Sequence, residues 1–220
     1  MVSPLKFEGI SHQYYTYPVV GNITEFVNMA HSVKFKMEIE NFTDQPLKWV
    51  TCRIHSGHVQ EPPLDIRPGF KEVFSGRKTS YSPTGVSATV VYRIGSSKKV
   101  LIVTIMCPFG FFPLSRGNAL SLGIYTLDND FLKSMDDDFM YNYMYKTDGP
   151  WKKRFYTRCD PLDANDDEKE YHVRGSMGTT HSASVTIRLY PTDENRLASS
   201  LKPTFFEQMK KQAKSNCSTS

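Results

Sequence analysis

At 220 residues the chain is long enough for one sizeable domain with tails, not for two full domains. Hydrophobic residues make up 39% and charged residues 23%, which excludes a disordered or fibrous protein, and no apolar run reaches the roughly 18 residues of a transmembrane helix. Lys+Arg 27 against Asp+Glu 23 gives a net charge of +4; that balance suits anionic partners but lacks the concentrated charge of a phosphate-tracking protein, so no nucleic acid is expected.

The first 20 residues show no basic stretch followed by an apolar one, so no secretory signal peptide is read there. The expectation is a protein that is secreted by another route or soluble, with a cytosolic location left open. Residues 1–32 form an N-terminal segment in which only Ile23 to Ala30 reads as helical. From Val33 the pattern has period 2: Val33, Phe35, Met37 and Ile39 alternate with Lys34, Lys36 and Glu38, which predicts a half-buried strand. Asn41 to Pro46 reads as a turn, and Asn41-Phe42-Thr43 fits the glycosylation sequon. Leu47 to Ile54 is the next predicted strand, Ser56 to Gly69 a loop or edge, Phe70 to Phe74 a short strand, and Ser75 to Gly85 a further loop.

Val86 to Ile94 and Val100 to Cys107 are rich in Val, Ile and Thr, and the second is so uniformly apolar that it predicts a strand covered on both faces. Ala119 to Thr126 and Ser182 to Tyr190 complete the set. About eight short strands separated by turn signals predict an all-β dominated sandwich or barrel. Two helices are also expected, over Met135 to Lys146 with Ser134 as its cap, and over Phe205 to Lys214. Residues 33–191 thus read as the sandwich, and residues 192–220 as an extension that forms either a basic amphipathic helix or a docked tail.

Catalysis is not expected. The six histidines are scattered, and no phosphate-binding loop, dinucleotide fingerprint or zinc-protease motif is present. Cys52, Cys107, Cys159 and Cys217 share no metal-ligand spacing; Cys52 and Cys107 read as small core residues. The acidic stretch Asp160 to Glu170 lacks calcium-loop spacing and is expected to be solvated. No metal or cofactor is expected.

The informative segment is Cys107-Pro108-Phe109-Gly110-Phe111-Phe112-Pro113-Leu114. Two prolines and a glycine stop regular structure after a buried strand, yet the loop carries three Phe and a Leu. Either these rings fold back as a small core, or they form a surface tip that enters a bilayer interface or a partner's groove. Tyrosines suit that boundary, because an apolar ring carries a polar tip and a ring face attracts a quaternary ammonium.

These features resemble the actinoporins, the pore-forming cytolysins of sea anemones, and their actinoporin-like relatives. The similarity is carried by Pro68-Gly69, Phe74-Ser75-Gly76-Arg77-Lys78, Pro83-Thr84-Gly85 and Tyr92, then by Pro108-Phe109, Asn118 and Ile124-Tyr125. It closes with Met140-Tyr141, Tyr145 and Trp151. The resemblance implies an actinoporin-like β-sandwich flanked by short α-helices. It also implies recognition of a sphingomyelin phosphocholine headgroup, self-association on the membrane and a cation-leaky pore. By position, Ser56, Ser87, Pro108, Tyr141 and Tyr145 fall where the family lines its headgroup pocket, and Phe109, Phe111, Phe112 and Leu114 occupy its membrane-docking loop.

Several positions depart from that pattern. Met106 stands where the family has a serine, Ala119 where it has a tryptophan, Lys146 where it has a tyrosine, and Lys146-Thr147-Asp148 where it has Arg-Gly-Asp. Eight helical residues from Ile23 cover about 12 Å against a hydrocarbon core near 30 Å. The sequence therefore supports membrane docking more than the family's usual pore. A different headgroup or a glycan is the other expected ligand, which defines the second reading, a non-lytic lectin-like or lipid-recognition module.

Overall fold

The computed structural model describes residues 33–82, 84–109, 117–126, 152–156 and 160–204. They form eleven strands in two sheets. One sheet has six strands in the order β3-β4-β1-β11-β10-β9: β1 is Lys34–Asn41, β3 His58–Glu61, β4 Lys71–Arg77, β9 Leu162–Asn165, β10 Tyr171–Met177 and β11 Ser182–Pro191. The other has five in the order β2-β5-β6-β7-β8: β2 is Leu47–Ser56, β5 Val86–Ile94, β6 Lys99–Cys107, β7 Asn118–Thr126 and β8 Lys152–Tyr156. All pairings are antiparallel except β1 with β11.

Period-2 alternation is what builds the core. Phe35, Met37 and Ile39 of β1 and Ala183, Val185, Ile187 and Leu189 of β11 point inward. They meet Val90, Tyr92, Leu101, Val103, Leu120 and Leu122 of the opposite sheet. Phe35 and Phe74 pack edge to face at 5.1 Å, the arrangement that aligns ring edge with ring face. A Cβ at Gly175 would come within 2.5 Å of Leu122 and 2.9 Å of Ile187, so the glycine lets the two sheets close on each other.

The two sheets differ on their outer faces. β1 and β11 expose every second residue, whereas β5, β6 and β7 are buried on both faces, Val91, Ile102, Thr104 and Ser121 being fully enclosed. The apolar run of β6 is therefore the doubly covered strand its composition predicts. Cys107 is buried and Cys52 half-buried against the core, both free, and burial pushes their thiols up to about 12 and about 11.

Two sequence expectations need correction, the loop from Ser75 and the solvated acidic stretch. Strand β4 runs on to Arg77 into the expected loop, whereas β3, in the stretch after Ser56 expected to be loop or edge, is the edge strand of its sheet. The acidic stretch is not simply solvated: Leu162–Asn165 is a strand, and Asp166 is buried in an ion pair with Lys99. The Asn41 sequon is closed off. Its side chain is buried, donates to the Gln45 carbonyl at 2.7 Å and accepts from the Thr43 hydroxyl at 2.8 Å.

Beyond β11 the chain turns back on the sandwich. Leu197 bridges Thr43, the Ala198 N–H donates to Phe42, and both Leu197 and Ala198 are buried. The helices expected over Met135 to Lys146 and Phe205 to Lys214 lie outside the described residues, as does the N-terminal segment.

Candidate functional site

The candidate site gathers at one end of the sandwich, where β2 and β6 finish and β5 and β7 begin. A register shift between Ile54 and Ser56 places Ser56 opposite Ser87 of β5, and Ser87 in turn lies opposite Met106 of β6. Val86 and Ala88 face the core, so strand alternation turns Ser87 to the outer face of the five-stranded sheet. The Ser56 hydroxyl donates to the Gly85 carbonyl at 2.8 Å. Gly85 itself lies flat against the end of β6: an added Cβ would meet the Cys107 carbonyl at 1.9 Å and Pro108 Cα at 2.8 Å. Backbone approach of that kind is open only to glycine. It fixes Pro108 beside Ser56 and Ser87.

Phe109 forms the root of the aromatic loop. Its ring is half-buried against the main core, and the ammonium of Lys78 sits 3.5 Å from its centroid. Lys78, the residue after β4, is itself only 1% exposed, and no carboxylate of a described residue pairs with it. Burial lowers its pKa below the ordinary lysine value, while the ring's negative face favours the charged form. A lysine buried against a ring instead of a carboxylate needs a special reason, and here it braces the loop's first aromatic.

Of the residues expected from sequence, Ser56, Ser87 and Pro108 are brought together, with Phe109 adjoining them. Tyr141, Tyr145, Phe111, Phe112 and Leu114 lie outside the described residues. Two further residues belong to this end and were not singled out. Lys78 is one, embedded in a motif whose spacing gives no hint of its ring partner. Tyr81 is the other: 76% exposed on the 78–85 loop with φ of +60°, a left-handed conformation unusual for a bulky residue. Its setting between serines, just before Pro83, was the available signal.

A polar row leads away from Ser87 along the enclosed outer face. Thr89 approaches His55 at 3.4 Å and Thr104 at 2.8 Å, and the next residue across, Ser121, has a buried hydroxyl without a hydrogen-bond partner among the described residues. The opposite end of the sandwich carries the strongest charge cluster among the described residues. Lys99 bonds to Asp166, to Glu168 at 2.7 Å and to Glu170 at 2.8 Å. Those three carboxylates are close enough to share a metal ion, but the Lys99 ammonium already bonds to all three. Burial pulls the Lys99 pKa down, yet its hydrogen bonds to the carboxylates outweigh that and hold it above the ordinary lysine range. Among the described residues no helix is long and apolar enough to cross a membrane.

Two packed sheets with these loops gathered at one end define an actinoporin-like β-sandwich. The chain is 29% identical over 174 residues to Tereporin-Ca1 of Terebra anilis, which covers 76% of this chain and 88% of that protein. It is 24% identical over 197 residues to Conoporin-Cn1 of Conus consors, 87% of this chain and 75% of that one. These similarities agree with the resemblance to the actinoporin-like proteins. Among solved structures, the lipid binding protein Nakanori matches with a TM-score of 0.56 at 16% identity, over 71% of this chain and 70% of that one; it shares the fold. No family model matches the chain.

Proposed function

We propose that this protein binds membrane lipid through the end of the sandwich that carries Ser56, Ser87, Pro108 and Phe109, and that it acts there by binding, not by catalysis. The observation that carries the reading is the convergence of two serines from neighbouring strands on a proline-stopped aromatic loop root. Hydroxyls suit the phosphate of a headgroup, and apolar rings suit the layer just below it. The two relatives are named Tereporin and Conoporin, and the fold neighbour is titled a lipid binding protein, which agrees with this assignment.

In the fuller form of the proposal, Tyr141 and Tyr145 add ring faces for a choline headgroup, and Phe111, Phe112 and Leu114 enter the interface. Self-association on the membrane then opens a cation-leaky pore. The protein is soluble before it meets its target membrane.

Vesicle pelleting beside dye release tests each level. Pelleting with sphingomyelin-containing vesicles together with release supports the pore. Pelleting without release supports lipid recognition alone. Failure to pellet with any lipid, together with retention on a glycan column, replaces the proposal with the lectin-like reading.

A further inference from the structure

The outer face of the six-stranded sheet changes sign along its length. On β1 the outward residues read Lys34, Lys36, Glu38, Glu40. The two carboxylates are matched: Glu38 bonds to Lys71 at 2.9 Å and Glu40 to Arg188 at 3.0 Å. The two lysines are not. Both are exposed, and neither forms an ion pair with a described residue. The strand register sets hydroxyls around them: Lys34 lies opposite Ser182, and Lys36 lies between Ser184 and Ser75. These residues, with Gln60 and Glu61, line an open cavity of about 450 Å³.

Among its lining residues, the hydrogen-bond donors Lys34, Lys36, Gln60, Ser75, Ser182 and Ser184 outnumber the single carboxylate of Glu61 on the edge strand, with Phe35 and Ala183 completing the wall. Unmatched lysines beside hydroxyls form a site for a tetrahedral anion. Its position matters as much as its chemistry. The Lys34 N–H donates to the His181 carbonyl, in the β10–β11 loop whose Gly178 and Thr180 carbonyls are held by Asn118, the first residue of β7. Gly57, which follows Ser56 directly, is packed against the Arg77 carbonyl, and Arg77 lies opposite Lys34. The cavity therefore sits at the same end as the candidate headgroup site, one sheet away.

We propose that Lys34 and Lys36, with Ser75, Ser182 and Ser184, form a second lipid contact that takes the phosphate of an acidic phospholipid while the Ser56–Ser87 end takes a neutral choline lipid. This rests on the membrane-docking reading above. Lysines on flexible stems reach a surface from the flank of a domain, and paired basic residues draw a protein to an anionic leaflet in a salt-dependent manner. The far end of β1, with its lysine and arginine already engaged by carboxylates, has no comparable attraction.

The test compares pelleting with neutral phosphatidylcholine–sphingomyelin vesicles and with the same vesicles carrying phosphatidylserine. The unmodified chain should bind both, and bind the acidic vesicles about thirtyfold more tightly at low salt, from roughly two basic contacts at the surface. The double variant Lys34→Gln/Lys36→Gln should keep its neutral binding and lose that gain. Lys98→Gln/Lys169→Gln removes the same charge at the opposite end and should keep it. A gain that survives in the first variant, or falls equally in both, overturns the proposal. So does loss of heparin retention in the first variant without change on vesicles, which would assign the lysines to a sulfated glycan. Binding to neutral vesicles without any gain on acidic ones sinks this inference alone; binding to neither sinks the docking reading with it.

Discussion

The two ends of the sandwich solve the same problem in opposite ways. At one end, Lys99 is tied to three carboxylates, and Arg196 donates to the Tyr171 hydroxyl while its guanidinium lies 4.9 Å from that ring's centroid. Here the buried charges of Lys99 and Asp166 are paired, and even the half-exposed Phe70 ring is covered by Arg67 at 4.2 Å. At the other end a buried lysine rests on a phenyl ring, Tyr81 projects into solvent in a left-handed conformation, and two lysines stand beside serines without an ion pair to a described residue. Satisfied groups give stability and leave nothing to bind with. Unsatisfied ones cost stability and are kept where a ligand completes them.

Breaking the satisfied end should cost most. Lys99→Met leaves Asp166 buried without its cation, and removing one partner of a buried pair costs about 3–5 kcal/mol; thermal unfolding by circular dichroism should show the loss while vesicle binding at the remaining folded fraction stays the same. The pH profile sharpens this. Because the folded Lys99 pKa lies above the unfolded value of about 10.4, its contribution is complete below that pH and fades as pH rises through the folded value. The unmodified protein should thus lose stability in the alkaline range more steeply than Lys99→Met.

At the binding end the effects are smaller on stability and larger on function. Phe109→Ala removes a half-buried ring and the brace of Lys78, for about 1–3 kcal/mol, and vesicle binding should drop together with it. Ser56→Ala gives up one hydrogen bond to Gly85, about 1 kcal/mol, and should weaken lipid binding more than stability. Smallest is Ser121→Ala. Since that hydroxyl is buried without a partner among the described residues, its removal should leave stability unchanged or raise it by under about 1 kcal/mol, with binding unaffected.

Strands with clean alternation were legible in the sequence. β1 and β11 could be placed almost to the residue because their inward positions are uniformly aliphatic or aromatic, and β6 because it is apolar throughout. β9 and β10 were not, for physical reasons. Leu162–Asn165 sits inside an acidic run whose charge hides two inward residues, and the alternation of Tyr171–Met177 is interrupted by Gly175, whose missing side chain is what the packing requires. The site shows the same limit. Ser56 and Ser87 are 31 positions apart and meet only through a register shift; the family resemblance, not spacing, pointed to them. Lys78 against Phe109, and Lys99 against Asp166, are pairings of residues far apart in the chain, and no local pattern announces them.

Hydrogen–deuterium exchange on the protein bound to sphingomyelin-containing vesicles, compared with the free protein, reads directly which end meets the lipid. Protection should appear around Ser56–Gly57, residues 78–87 and Met106–Phe109, and be absent around Lys99 and Asp166–Tyr171. Protection confined to the Lys99 end, or spread evenly over both, would contradict the assignment of the binding face.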